Sequence, residues 1–351
     1  MTGHPTAPVD ASAVAGEPSA TEGALTVPIP EPMRFAARSM GSPLVLQVVE
    51  AAPTHLARSE RLPADQLWGR VMAEFEASDQ ALSRFRDDSA LTALNRVAGD
   101  GRWRTVELRL YRALAASARA VRITGGRFDP RVLVDLERLG YRGAEVAGSR
   151  QAPADAARGW LERDPRRSAV RAEMPLDSGG IGKGLALRWA WRAIEPALGG
   201  RGALLEAGGD LVGRGPGPAG PAWLVGIEDP VGEATPLAVV ALASGALSTS
   251  SVAITNWRAP DGRVVHHLLD PRTGEPGGDG LLAVTVAGAD PAWSEVWSKA
   301  LFLAGRRDIA DEARRRGLAA WWVEADGSLH LTPAARLRTM WTAARPRSRS
   351  S

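Results

Sequence analysis

Much of the second half of the sequence is made of short apolar runs separated by glycine and proline. This pattern is the feature that most limits the folds open to the chain. Such runs are typical of β-strands, and they cover residues 203–206, 222–228, 236–242, 264–269 and 282–287. In a doubly wound parallel sheet, a helix follows nearly every strand. Here most successive runs are not separated by a segment with the apolar spacing of a helix. The sequence therefore favours the α+β class over the α/β class, in a single domain.

Helices are predicted where apolar residues recur three and four positions apart. These segments cover residues 64–82, 107–122, 185–198, 291–304 and 307–316. In the first of them, Leu67, Val71, Phe75 and Leu82 lie near one face. Further strands are predicted at 44–49, 318–324 and 328–331, and residues 142–166 are predicted to form a surface loop with a short helix.

The two ends of the chain differ in composition and apolar pattern from the part between them. Residues 1–32 are rich in Pro, Ala, Ser and Thr without apolar periodicity, which predicts disorder. The folded domain is predicted to span residues 33–332, followed by a C-terminal tail at 333–351.

Composition excludes several classes of function. The chain has no cysteine, so it has neither disulfides nor thiolate chemistry. No apolar stretch approaches the roughly 18 residues that a membrane span needs. The net charge is only +3, with acids spread among the arginines, so no nucleic-acid surface is indicated. The N-terminus lacks the pattern of a signal peptide and a lipobox cysteine, which predicts a cytoplasmic protein.

Only two of the 43 basic residues are lysine, Lys183 and Lys299. A coding bias towards arginine accounts for the general pattern. The two remaining lysines are then of interest, because a compact ammonium and a planar guanidinium are not interchangeable at a tight site.

Lys183 lies in a glycine-rich segment, residues 177–184, that precedes a predicted helix; we call it the glycine loop. Glycines allow close approach of a ligand, and a helix N-terminus offers N–H groups to an anion. The segment is not a Walker A loop, since Asp177 replaces the first glycine and Gly184 the Ser or Thr. For this segment alone, a tight turn between a strand and a helix that binds no ligand explains the glycines equally well.

A histidine pair precedes an Asp-Pro turn in the second motif. His267 lies three residues before Asp270, at a predicted strand end, where it could act as a base beside a polar cleft. For the pair alone, a simple alternation of one exposed and one packed ring is the better explanation.

The third motif lies on the predicted helix 291–304. Glu295 and Lys299 are four residues apart and therefore share a face. An ordinary surface ion pair is the alternative, although apolar residues surround both.

In this order, the motifs resemble the ApbE family of flavin transferases, whose α+β fold resembles a duplicated T-fold. The resemblance covers about residues 33–332. Besides the three motifs it rests on Met40-Gly41-Ser42, Ser83-Arg84-Phe85 with Ser89 and Asn95, Phe128-Asp129-Pro130, Glu206-Ala207-Gly208-Gly209-Asp210 and Gly226-Ile227-Glu228-Asp229-Pro230.

The resemblance implies an FAD:protein FMN transferase. Such an enzyme cleaves the FAD pyrophosphate, links FMN to a threonine of an acceptor protein and releases AMP. FAD and the acceptor protein are then the partners. The residues at flavin-contact positions are Met40, Phe85 (where tyrosine is usual), Arg127, Phe128, Asp129, Asp177, Lys183 and Leu269. His267 is at the position of the general base.

The resemblance also implies magnesium, but the sequence departs from the family pattern there. The implied ligands are a backbone oxygen at Gly180, Glu295 where aspartate is usual, and Lys299 where threonine is usual. A charged lysine cannot bind a metal ion. We therefore expect the Lys299 ammonium, held by Glu295 or Asp270, to take over part of the metal's charge.

The sequence leaves two other functions open. One is hydrolysis of FAD to FMN and AMP, with water in place of the threonine hydroxyl. The other is a flavin-binding module without catalysis, which the lysine at position 299 favours. The change of the usual Thr-Ser-Gly to Thr249-Ser250-Ser251 is expected to narrow the cleft.

Overall fold

The computed structural model describes residues 31–50, 61–141, 160–232 and 235–343. Of the segment predicted to be disordered, residues 1–30 lie outside the described residues. Within the described residues, the first strand begins at Met33.

The described residues form strands of two to eight residues. In chain order these are β1 (Met33–Ser39), β2 (Ser42–Val49), β3 (Arg104–Thr105), β4 (Leu161–Asp164), β5 (Ala169–Ala172), β6 (Gly202–Ala207), β7 (Asp210–Arg214), β8 (Trp223–Ile227), β9 (Ala238–Leu242), β10 (Ser244–Ser251), β11 (Asn256–Arg258), β12 (Val264–His266), β13 (Leu269–Asp270), β14 (Glu275–Pro276), β15 (Leu281–Gly288), β16 (Ala319–Glu324), β17 (Leu329–Leu331) and β18 (Thr339–Thr342).

Five of the eight α-helices in the described residues lie close to the predicted segments, and three short ones were not predicted. The eight are α1 (Ala64–Leu82), α2 (Ala90–Val97), α3 (Leu108–Ile123), α4 (Leu133–Arg138), α5 (Gly182–Ile194), α6 (Pro291–Phe302), α7 (Gly305–Arg315) and α8 (Pro333–Arg336). Short 3₁₀ turns precede α4 and follow α5. On α1, the four apolar residues predicted to share a face are all buried.

The centre of the fold is an eight-stranded sheet in the order β1-β2-β6-β7-β10-β15-β16-β17, with every neighbouring pair antiparallel. An antiparallel sheet with helices gathered beside it belongs to the α+β class. The predicted fold class is confirmed.

Both faces of β6 are covered, which explains why most of its residues are apolar. On β6, Leu205 packs with α1 and α5, whereas Leu204 packs on the other side with a three-stranded sheet of β18, β9 and β8. Because successive side chains of a strand point to opposite faces, a strand covered on both sides needs apolar residues at nearly every position.

Helices α1, α5 and α6 lie side by side on the sheet, and this arrangement positions the chemistry-bearing residues. Helix α5 contacts α1 on one side and α6 on the other, and α6 packs over β10 and β15. The glycine loop therefore enters α5 directly beside α6.

Two segments differ from the sequence expectations. The segment predicted as a tail from residue 333 begins with α8 and then β18, which pairs with β9. Pairing with a strand about 100 positions earlier, which no local pattern reveals, is the reason. Of the predicted loop 142–166, residues 142–159 lie outside the described residues, and β4 occupies much of the remainder.

No helix in the described parts of the chain combines the length and the hydropathy needed to cross a bilayer.

Candidate active site

The glycine loop is held by side chains from other elements. Asn95 on α2 bonds both backbone groups of Leu176, at 2.8 and 2.9 Å. The carboxylate of Asp177 accepts from the Gly179 amide at 3.1 Å and pairs with Arg84 Nε at 3.0 Å. Arg84 is itself buried. The loop therefore has a fixed shape before any ligand binds.

Two glycines of the loop allow backbone to approach its neighbours closely. A Cβ on Gly180 would lie 2.6 Å from the ring of Phe128 and 3.3 Å from Cδ of Lys299. A Cβ on Gly184 would lie 2.6 Å from Cα of Ala292 on α6. These positions have no room for a side chain. Glycine is therefore required here for packing, whether or not a ligand also binds.

The turn between β1 and β2 meets the same loop. Met40 adopts a positive φ of 48°, and its Cε lies 3.8 Å from the place of a Cβ on Gly182. Gly208, with φ of 59°, packs against Ser42, and a Cβ there would lie 3.9 Å from Cδ of Lys183. The early Met40-Gly41-Ser42 motif and the Gly208-Gly209 turn are thus neighbours of Lys183.

Lys183, on the first turn of α5, is paired with a buried carboxylate. Its Nζ donates to Oδ2 of Asp210 at 2.8 Å, and the other oxygen of Asp210 accepts from the Thr249 amide at 3.2 Å. Burial by itself lowers the pKa of Lys183, but the carboxylates of Asp210 and Glu295 outweigh burial and hold that pKa above its ordinary value. Lys183 is a permanent cation.

Helix α6 begins at a well-formed cap. Asp290 accepts from the amides of Ala292 and Trp293 at 3.0 and 3.2 Å, and Pro291 occupies the first helical position. This start directs Glu295 and Lys299, one and two turns later, towards the glycine loop.

Glu295 is 1 % exposed and bonds across to the neighbouring helix. Its Oε2 accepts from the Gly184 amide at 2.8 Å, so it caps the N-terminus of α5, where a carboxylate is electrostatically favourable. Its Oε1 accepts no hydrogen bond from any described residue and lies 3.5 Å from Nζ of Lys299. Burial raises the pKa of Glu295, although both lysines act in the opposite direction.

His267 follows β12 and lies close to both lysines. Its Nδ1 lies 3.3 Å from the backbone oxygen of Thr255. A carbonyl can only accept, so this contact assigns the proton to Nδ1 and leaves Nε2 as the basic nitrogen. Burial, together with the positive charges of Lys299 and Lys183, lowers the pKa of His267 to about 3. The imidazole is neutral near pH 7.

An aromatic cluster lies on the other side of the glycine loop. Phe85 is 56 % exposed and meets Tyr141 edge-on at 5.9 Å, and Tyr141 stacks on Trp257 at 4.8 Å. The Arg84 guanidinium lies over the rings of Phe85 and Tyr141, at 4.3 and 4.7 Å. Because Arg84 also binds Asp177, the cluster is connected directly to the loop.

Three of the residues predicted to contact flavin have other partners for their side chains. The buried carboxylate of Asp129 accepts from the Arg131 amide at 3.0 Å and from its Nε at 2.8 Å. Arg127 lies about 4 Å from two carboxylates on α7. Leu269 packs into a small apolar cluster with Leu136. Any flavin contact at Asp129 or Leu269 would therefore come mainly from the backbone.

The serine-rich end of β10 pairs with α6. Ser250 and Ser298 share a hydrogen bond between their hydroxyls at 2.8 Å, and both are buried. Thr249 pairs with Thr285 at 2.9 Å, and Ser251 accepts from the Ala253 amide. These hydroxyls are engaged within the protein.

The side chains around α6 do not form a metal site. Across the described ranges, no group of three or more His, Cys, Asp and Glu side chains could hold a metal ion. Asp270 is engaged by Arg272, with contacts of 2.6 to 3.2 Å. Of the implied magnesium ligands, Glu295 caps α5, and Lys299 contributes a positive charge where a ligand would be needed. Gly180 and Glu295 alone do not fit magnesium.

Sequence reasoning missed several residues that the fold brings to this region. Asp210 stood in a quoted motif, but nothing in the sequence indicated that it pairs with Lys183, 27 positions away. Tyr141 and Trp257 carried no signal of stacking, since they lie far apart in the chain. The only sequence feature that singled out Asp210 was an acidic residue directly after a Gly-Gly pair.

Comparison with known proteins gives a consistent result. The model of the ApbE family matches residues 40–322. A curated "FAD:protein FMN transferase" of Klebsiella pneumoniae (strain 342) is 27% identical over 276 residues, which are 75% of this chain and 78% of that protein. One of Treponema pallidum (strain Nichols) is 29% identical over 262 residues, 67% of this chain and 70% of that protein.

Solved structures agree in fold. The flavinyl transferase ApbE of Pseudomonas stutzeri, in its apo form, has a TM-score of 0.72 at 25% identity, covering 89% of this chain and 98% of that one. The ApbE protein of Thermotoga maritima has a TM-score of 0.73 at 24% identity, covering 88% and 99%.

Proposed function

The chain belongs to the ApbE family, and we propose on this basis that it is an FAD:protein FMN transferase. It cleaves the pyrophosphate of FAD and attaches the FMN half to a protein acceptor. In finer detail we propose that a threonine hydroxyl of the acceptor attacks and that AMP leaves. The proposal concerns one site, built from the glycine loop, the His267 strand end and helix α6.

One observation carries the proposal. The start of α5, which carries Lys183, and helix α6, which carries Lys299, meet at Glu295: one of its oxygens accepts from the Gly184 amide at 2.8 Å and the other lies 3.5 Å from Nζ of Lys299. The stem of Lys299 runs along the glycine loop, and the charges of both lysines lower the pKa of His267, which follows β12. Phosphoryl transfer requires mainly positioning and neutralisation of charge on the phosphate oxygens, together with a base for the attacking hydroxyl. These side chains supply each part.

The roles in FAD binding follow from charge and exposure. Lys183 is a cation at a helix N-terminus, which suits a pyrophosphate oxygen. Phe85, exposed and supported by Arg84, offers a ring face for stacking by a flat heterocycle. Met40 and Phe128 lie against the glycine loop. We propose backbone contacts with FAD for Asp129 and Leu269, and a contact through the partly exposed side chain for Arg127.

His267 is suited to receive the proton of the attacking hydroxyl. The contact of its Nδ1 with Thr255 fixes the ring orientation and leaves Nε2 available. The oxygen then bonds to the phosphorus of the FMN half, the P–O bond to the AMP phosphate breaks, and the AMP phosphate leaves with the electron pair. Without a ligand, burial and the two lysine charges lower the pKa of His267 to about 3, so the imidazole is deprotonated at neutral pH. The negative charge of a bound pyrophosphate would offset the lysines and raise that pKa towards the range in which a base works best.

The test uses pools of synthetic peptides that contain threonine, matched to pools with valine at the same positions. The purified full chain is incubated with FAD and each pool, and peptides and nucleotides are identified by mass spectrometry. FMN on threonine peptides with stoichiometric AMP supports transfer. AMP and free FMN without a labelled peptide would indicate FAD hydrolysis instead. Intact FAD retained on the protein would indicate a non-catalytic flavin-binding module.

A further inference from the structure

The two lysines of the site differ in how fully their charges are satisfied. Lys183 donates a 2.8 Å hydrogen bond to Asp210. Lys299 lies 3.5 Å from Oε1 of Glu295, and that oxygen accepts no hydrogen bond from the described residues. Lys299 therefore has hydrogen-bond donors available for a ligand.

The other polar groups of this region have partners of their own. Asp270 is bound by Arg272, and the hydroxyls of Ser250 and Ser298 bond to each other. The second oxygen of Glu295 caps α5. The loose contact with Glu295 thus balances the charge of Lys299 without using up its donors.

Lys299 is also placed against the segment that would hold a phosphate. Its Cδ lies 3.3 Å from the place of a Cβ on Gly180, so its stem runs along the glycine loop. Its side chain is 16 % exposed, which shields the ammonium from bulk water while leaving it accessible. It also lowers the pKa of His267, which shows that its field reaches the proposed base.

We propose that Lys299 binds the FAD pyrophosphate directly and supplies the positive charge for the transfer, so that the reaction does not need a divalent metal ion. This inference rests on the proposed function. As the acceptor oxygen bonds to phosphorus and the bond to AMP breaks, negative charge grows on the bridging and equatorial oxygens. A fixed ammonium in a partly buried site stabilises that charge strongly.

The choice of lysine fits this role better than arginine. An ammonium is a compact charge with three donors that can fill the small space between the glycine loop and Glu295, whereas a guanidinium is planar and needs a wider site. In a chain with 41 arginines among 43 basic residues, a lysine here is consistent with a steric requirement.

The experiment compares the full chain with Lys299→Met and Lys299→Thr, after treatment with EDTA and again after addition of Mg²⁺. Arg314→Met is the matched control, since it removes a cation from an exposed ion pair on α7. AMP release from FAD is followed with and without the threonine peptides, and FAD affinity is measured by fluorescence. Thermal unfolding verifies that each variant is folded.

We expect the wild type and Arg314→Met to keep their rates in EDTA within about twofold, with FAD affinity unchanged by Mg²⁺. Both Lys299 variants should lose on the order of 100-fold in rate without metal, the loss typical of removing one group that stabilises transition-state charge. Mg²⁺ should partly restore Lys299→Thr, because its hydroxyl and Glu295 offer oxygen ligands, but not Lys299→Met.

Two results would overturn the inference. One is a wild type that loses activity in EDTA and recovers it with Mg²⁺; the other is Lys299→Met with the wild-type rate in EDTA. In both, AMP release that depends on the threonine peptides and leaves FMN on them still demonstrates transfer, so the proposed function stands. A folded wild type that releases no AMP in any condition overturns the proposed function, and the inference with it.

Discussion

Gly184 offers the most direct test of the packing that assembles the site. In the substitution Gly184→Ala, the new Cβ would lie 2.6 Å from Cα of Ala292 and 2.7 Å from the Pro291 oxygen. Both are backbone atoms of α6, which cannot rotate away as a side chain could. Helices α5 and α6 must therefore separate by about 0.8 Å for the carbon contact to reach the ordinary 3.4 Å.

The expected free-energy change follows from this separation. The bond from the Gly184 amide to Glu295, now 2.8 Å, would lengthen to about 3.6 Å and no longer be a hydrogen bond. Overpacking costs about 1–3 kcal/mol and a buried carboxylate without its donor about 1–3 kcal/mol, while alanine in a helix returns about 1 kcal/mol. We expect a net loss of about 1–5 kcal/mol in the free energy of unfolding.

The assay is urea unfolding of Gly184→Ala beside Gly69→Ala. Gly69 lies on α1 with nothing within 4 Å of its would-be Cβ, so alanine there should stabilise the protein by about 0.5–1 kcal/mol. FAD affinity should fall only in the Gly184 variant. Equal stability of the two variants would refute the close contact of α5 with α6, and with it the cap that Glu295 provides.

Three further predictions concern single side chains. Phe85→Ala should change stability by less than about 0.5 kcal/mol but weaken FAD binding about tenfold by fluorescence titration, whereas the equally exposed Leu224→Ala should leave binding unchanged. Because the pKa of His267 is lowered to about 3 in the folded protein, the unfolded chain binds more protons than the folded one between pH 6.5 and about 3. The free energy of unfolding of the wild type should therefore fall more steeply than that of His267→Gln as the pH drops through this window. Urea unfolding in which the two proteins lose stability in parallel would contradict this. Lys183→Met should cost about 3 kcal/mol by leaving Asp210 unpaired, and adding Asp210→Asn should recover stability but not FAD affinity; recovery of both would argue against a phosphate contact.

The sequence was sufficient for the fold class and for the longer helices because these depend on local patterns. The apolar spacing of residues 64–82 defined α1 to the residue, and the Gly- and Pro-separated runs predicted β6, β8, β9, β12 and β15. The segment after residue 332 escaped prediction, since β18 is stabilised by pairing with β9, about 100 positions earlier.

The site was predictable only in part. The glycine loop, His267 and the Glu295–Lys299 pair could be identified because each is a compact pattern in the chain. The pairing of Asp210 with Lys183 and the stacking of Tyr141 on Trp257 could not, because each joins residues that only the fold brings together. Nor could the sequence show that Asp129 is engaged by its near neighbour Arg131.

By itself, then, the sequence determined the fold class, the longer helices and which residue types are available for chemistry. Only the tertiary structure decided that Oε1 of Glu295 is left without a hydrogen bond beside the Lys299 ammonium while Oε2 caps a different helix. The physical reason is that local propensity acts over a few residues, whereas burial and charge pairing depend on distances through space. Those distances are set when α5 and α6 pack together at Gly184.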